Sequence, residues 1–245
     1  CIRDRLWTTR RYPEAVEAAD QAINLAPDAV FPYLIKTFAL WSWRGSVQET
    51  RAVLEELPTD GGSWQRWTWY WQEIFEGRYH DALIRLQSTP DGWIRIKILA
   101  RPVELFSAQV HELLNEPELA ADEFERAREL LEAAVRESPK DPRLRSSLGI
   151  AYAALGRKEE AIREGVHATE LLPQSADGFY YVSFAVDLAD IYTIIGEEEA
   201  ALDQIEHLLT NPSWISAAWL EMDPRWNPLR EHPRFQALLE EHGPE

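Results

Sequence analysis

Residues 142–173 read PRLRSSLGIAYAALGRKEEAIREGVHATELLP. Two apolar-patterned stretches meet at Gly156, and the spacing predicts two antiparallel helices joined there. Gly is the residue best suited to the left-handed position that ends a helix, so Gly156 closes the first helix. Gly149 and Ala161 are small where the two helices approach most closely, and Leu148 and Tyr152 fill the space between them. Pro173 closes the second helix because it cannot continue the hydrogen-bond ladder.

Gly156 also serves as a ruler for the rest of the chain. Related breaks fall at Arg10, Gly45, Gly77, Asn115, Gly156 and Gly196, separated by 35, 32, 38, 41 and 40 residues. Five residues after each break stands a small residue: Ala15, Thr50, Ala82, Ala120, Ala161 and Ala201. A unit of one helix pair therefore repeats along the whole sequence.

The departures from the ruler are regular too. From the small residue to the closing proline, Ala15 to Pro27 and Ala161 to Pro173 both span 12 residues, but Thr50 to Pro58 and Ala82 to Pro90 span 8. Those second helices should be about one turn shorter. Ala120 to Pro139 spans 19, an excess of 7, which is two whole turns and preserves the buried face. One long helix is expected from Glu118 to Ser138, with Phe124, Ala127, Leu130, Leu131 and Ala134 along one stripe and Ala127 taking over the place of Ala120.

The motif Leu148-Gly149, Tyr152, Gly156, Ala161, Ala168 and Pro173 resembles the tetratricopeptide repeat, and the break spacings bracket that repeat's period of about 34 residues. The resemblance implies an all-α fold, a right-handed α-solenoid of antiparallel helix pairs. Residues 1–213 would hold about five and a half repeats, the first truncated. Residues 214–245 would form a C-terminal capping segment, in which Met222, Trp226, Leu229, Phe235, Leu238 and Leu239 cover the apolar side of the final repeat. More narrowly, LGIAYAALGRKEEAIREG (148–165) and DPRWNPLREHPRFQALLEEHG (223–243) are similar to the C-terminal repeat regions of bacterial multidomain signalling proteins.

The resemblance further implies a concave groove lined by the first helix of each pair, at places about 13, 10, 6, 3 and 2 residues before each break. Before Gly77 these are Trp64, Trp67, Trp71, Ile74 and Phe75. Before Gly45 they are Pro32, Ile35, Ala39, Ser42 and Trp43, and before Asn115 they are Pro102, Leu105, Gln109, Glu112 and Leu113. The expected partner-binding residues are thus Trp43, Trp64, Trp67, Trp71, Phe75, Leu105 and Gln109. Lys, Arg and Asn are nearly absent from these places, which argues against a clamp for a terminal carboxylate. The aromatic lining suits a protein or peptide segment with flat or apolar faces, or the C–H face of a glycan. Two other uses of the tryptophans stay open. A helix as aromatic all round as SWQRWTWYWQEIF is what a buried helix looks like, and exposed aromatics also serve end-to-end self-association into filaments.

Asp and Glu outnumber Lys and Arg by 42 to 25, and a net charge of −17 repels nucleic acid and anionic membrane surfaces. Apolar runs end well short of the roughly 20 residues that span a bilayer. The single cysteine, Cys1, excludes an internal disulfide and leaves the compartment undetermined: a reducing cytosol is compatible, and Cys1 as the lipid-bearing residue of a lipoprotein is the alternative. No initiator Met and no secretory leader are seen, and the register starts in mid-helix, so the chain is expected to continue upstream. His80, His111, His167, His207, His232 and His242 show no metal-ligand spacing, and there is no nucleophile elbow or phosphate loop. No cofactor and no catalysis are expected, and runs such as Glu197-Glu198-Glu199 read as solvated helix faces.

Overall fold

A computed structural model describes residues 6–58 and 62–243; the readings made for Cys1 lie outside the described residues. The chain is all-α, a succession of helices: Tyr12–Leu25, Val30–Arg44, Val47–Glu55, Gly62–Phe75, Tyr79–Gln87, Val103–Leu113, Pro117–Glu137, Pro142–Ala154, Lys158–Leu171, Gly178–Ile194 and Glu198–Thr210. The short helix Ala217–Met222, a 3₁₀ turn at Pro224–Leu229 and the helix Pro233–His242 complete it.

All six breaks read from the sequence have left-handed backbone: Arg10 at φ 60°, Gly45 at 60°, Gly77 at 70°, Asn115 at 59°, Gly156 at 72° and Gly196 at 75°. The left-handed residue lets the next amide reach back to a carbonyl the helix would otherwise orphan. Arg157 N donates to Tyr152 O at 2.8 Å, and Arg11 to Leu6 (2.8 Å), Glu116 to His111 (2.9 Å) and Glu197 to Tyr192 (2.9 Å) repeat the bond. The small residues five places on are all buried: Ala15, Thr50, Ala82, Ala161 and Ala201 at 0% exposure, Ala120 at 3%. Ala82, Ala120, Ala161 and Ala201 can lie this deep because a methyl group lets the helix axes come close. At Gly149 even a methyl is too much: an added Cβ would stand 2.7 Å from Ile191 Cδ1 and 3.2 Å from the backbone of Ala161 and Gly165.

Helix lengths follow the proline spacing. Val47–Glu55 and Tyr79–Gln87 have 9 residues, against 14 in Tyr12–Leu25 and Lys158–Leu171. The long helix is Pro117–Glu137, 21 residues. Its buried stripe is Ala120, Phe124, Ala127 and Leu131, with Ala134 half-buried. Leu130 is a correction to the expected stripe: it is 39% exposed, because it lies one residue, or about 100°, from Leu131 on the helix. Ala127 does not displace Ala120; both are buried.

An antiparallel hairpin, Trp93–Arg95 with Ala100–Pro102, is an element the helical periodicity did not foretell. It precedes the helix Val103–Leu113 and supplies a buried cation. Arg101 pairs with Asp187 at 2.6 Å and donates to Ser147 Oγ at 3.3 Å, while Ser146 donates to Asp187 at 2.5 Å. Pairing and hydrogen bonds together are what make a buried charge tolerable.

The residues fall into two compact units: residues 1–77 with 208–245, and Arg78–His207. In the second unit the core joins Leu105, Ala108, Phe124, Leu131, Leu148 and Ile191. Tyr152 donates to Glu132 at 3.0 Å, and burial, followed by that carboxylate, pushes its phenol up to about 12. In the first unit the helix Ala217–Met222 packs on Val30–Arg44, and Trp226, Leu229 and Phe235 are buried. A Cβ on Gly45 would touch Met222 Sδ at 3.4 Å. The C-terminal segment therefore covers the N-terminal helices, a placement the repeat register alone does not give. Among the described residues no helix is long and apolar enough to cross a membrane.

Candidate binding surface

Many aromatic residues of the first unit form one connected cluster. Trp7 stacks on Phe38 (5.2 Å) and Trp214 (6.3 Å); Phe38 meets Trp41 at 5.7 Å and Trp67 at 5.7 Å. Trp41 and Phe75 each meet Trp219 edge-on at 5.5 Å, and Trp71 lies 5.4 Å from Phe75. Edge-to-face pairs at such distances each contribute about 0.5–1.5 kcal/mol beyond area burial. The Trp7 indole N–H is led out through a polar side chain: Trp7 Nε1 donates to Ser42 Oγ (2.9 Å), which donates to Trp214 O (3.1 Å).

Set in this cluster, the expected binding residues separate. Trp67 and Trp71 are 6% and 5% exposed, so their burial supports the core alternative. The Arg225 guanidinium, itself held by Asp223, lies 4.5 Å over the Trp71 ring and covers it from the C-terminal segment. Phe75 is half-buried between Trp41 and Trp219. Trp43 is half-buried with the Arg44 guanidinium 3.9 Å above its ring. Trp64 is half-buried on the first turn of its helix, and Phe31, 40% exposed, meets it edge-on at 6.4 Å. Phe31 was missed in the sequence because it lies one residue outside the spacing rule, beside Pro32. Trp64 and Phe31 form an open aromatic corner backed by Phe38 and Trp67, which hold Trp64 at 6.3 and 5.8 Å.

In the second unit Leu105 is fully buried in the core, out of reach of a ligand, and Gln109 on the same helix is half-buried. At the end of that helix Glu112 faces solvent beside a hollow of about 400 Å³. Although the residue as a whole is exposed, desolvation of its carboxyl raises its pKa above the ordinary 4.5. Its neighbour Glu116 accepts from His111 Nδ1 at 2.6 Å.

Residues 118–178 match the family model of the tetratricopeptide repeat. Among curated proteins none matches the sequence significantly. Solved structures overlay on the chain loosely. YrrB, a TPR protein with an unusual peptide-binding site, is 16% identical with a TM-score of 0.38, covering 92% of this chain and 99% of its own. The Cut9–Hcn1 hetero-tetramer of APC/C is 13% identical at 0.35, covering 98% and 54%. The TPR2AB-domain–pHSP90 complex of yeast Sti1 is 14% identical at 0.31, covering 97% and 94%. With the motif at Leu148 to Pro173, the left-handed breaks and the buried small residues already in place, residues 118–178 are identified as tetratricopeptide-repeat sequence within a predominantly helical chain.

Proposed function

We propose that this chain is a non-catalytic interaction scaffold, and that the aromatic corner of Trp64 and Phe31 takes an apolar or aromatic side chain of a partner segment. One observation supports the reading: of the three tryptophans on one face of the helix Gly62–Phe75, two are buried and the third, Trp64, is half-buried with the exposed Phe31 at its edge. Large, rigid aromatics backed by a packed core are the side chains that anchor protein interfaces, because ordering them on binding costs little entropy. Trp43 and Phe75 are the further expected contacts.

The test is a peptide-display selection on the intact chain, followed by affinity measurement on a Trp64→Ala, Phe31→Ala double variant. Selected peptides should bind the variant at least about tenfold more weakly while its helical circular dichroism is retained. Peptides that bind both proteins equally well would place recognition elsewhere.

A further inference from the structure

We infer that the hollow beside Glu112 is a docking site for a basic side chain, an arginine or lysine, presented by a partner segment. The observation behind it is an exception in the register. Three residues before each of the other five breaks stand Trp7, Ser42, Ile74, Ala153 and Thr193, all between 2% and 5% exposed. The equivalent place before Asn115 holds a carboxylate, and it is open to solvent.

That carboxylate has no cation. Among the described residues Glu112 makes no ion pair, and desolvation is the one influence acting on its acidity, raising it. Its position adds to the imbalance. Glu112 lies in the last turn of the helix Val103–Leu113, where the helix dipole is already negative and favours a cation. Glu116 brings a second carboxylate to the hollow, shared with His111. In a chain of net charge −17, negative potential at this spot is reinforced, not offset, by its surroundings.

Asn115 also stands in the lining, and the remainder is apolar: Pro117, Ala120, Ala121, Phe124 and Ala154. A carboxylate rim over an apolar floor matches a side chain with a hydrocarbon stem and a charged head, which is the construction of arginine and lysine. An acidic or purely apolar side chain would leave Glu112 uncompensated. The hollow of about 400 Å³ holds one such side chain with room for its backbone at the rim.

The inference rests on the scaffold reading for the source of the cation, and its test does not. The full chain is titrated with N-acetyl-arginine amide and, separately, N-acetyl-citrulline amide, its neutral near-isostere, with ¹H–¹⁵N amide shifts as readout. The expected result is saturable shifts at Glu112, Asn115, Ala120 and Ala121 with the arginine probe, and binding of the citrulline probe weaker by at least about tenfold. Glu112→Gln, which breaks no ion pair, should weaken the arginine probe to the same degree. Ala121→Leu, which fills the hollow from an exposed wall, should abolish it. No saturable shift at these amides, equal binding of the two probes, or unchanged binding in Glu112→Gln would overturn the assignment while leaving the aromatic corner untouched.

Discussion

The Trp41 indole N–H donates to the Thr50 hydroxyl at 3.0 Å, and this bond explains the one position where the small-residue register is not alanine. Thr50 is fully buried, and its hydroxyl lies within donating distance of Gln72 Oε1 (2.8 Å) and of the carbonyls of Ser46 (2.9 Å) and Val47 (3.1 Å), while Gln72 Nε2 donates to Val47 O at 2.8 Å. Thr50 gives the Trp41 indole N–H an acceptor in the core, which the methyl group of an alanine would not.

Thr50→Val keeps the shape and removes the acceptor. Stability in urea denaturation should fall by about 1–3 kcal/mol, the cost of leaving buried polar groups unpaired. Thr50→Ser should recover most of the loss.

Gly149→Ala forces a methyl to within 2.7 Å of Ile191 Cδ1 and 3.2 Å of two backbone atoms. Thermal and chemical denaturation should show a loss of about 1–3 kcal/mol from overpacking. Adding Ile191→Val should relieve part of it but not all, because the backbone of Ala161 and Gly165 cannot retreat as a side chain can.

Trp67→Ala and Trp71→Ala remove nearly fully buried rings and should each cost about 3–5 kcal/mol. Trp64→Ala, from a half-buried place at the start of its helix, should cost distinctly less. Equal losses for all three in parallel melts would mean that Trp64 is a core residue as well.

Glu112 has a folded-state pKa above the ordinary 4.5, so the native state holds its proton more tightly than the unfolded chain. Its contribution is therefore favourable at low pH and is lost as pH rises from about 4.5 through the folded value. Glu112→Gln should raise the melting temperature at neutral pH and flatten that part of the stability profile. A variant that is less stable at pH 7 would show that Glu112 has a stabilising partner.

Arg10 illustrates how far local chemistry carries. At φ 60° a glycine would be the unstrained choice. The structure shows what the arginine does instead: its guanidinium donates to the carbonyls of Leu208, Asn211 and Ile215, at 3.1 to 3.4 Å. The break was legible from spacing; the reason for its residue was not, since those carbonyls are remote in sequence.

The sequence by itself determined the helix pairs, their ends and their lengths, because these rest on local physics: the left-handed residue that ends a helix, the proline that stops one, and the small residue between close axes. Which aromatics are open was not determined, since SWQRWTWYWQEIF is aromatic around the whole helix and offers no polar face to mark the solvent side. Only the tertiary structure decided that Trp67 and Trp71 lie inside and Trp64 at the edge. It did so through Arg225, which a remote C-terminal segment lays over the Trp71 ring, and through Phe38 of a preceding helix, which meets Trp67; no local pattern encodes contacts of that range.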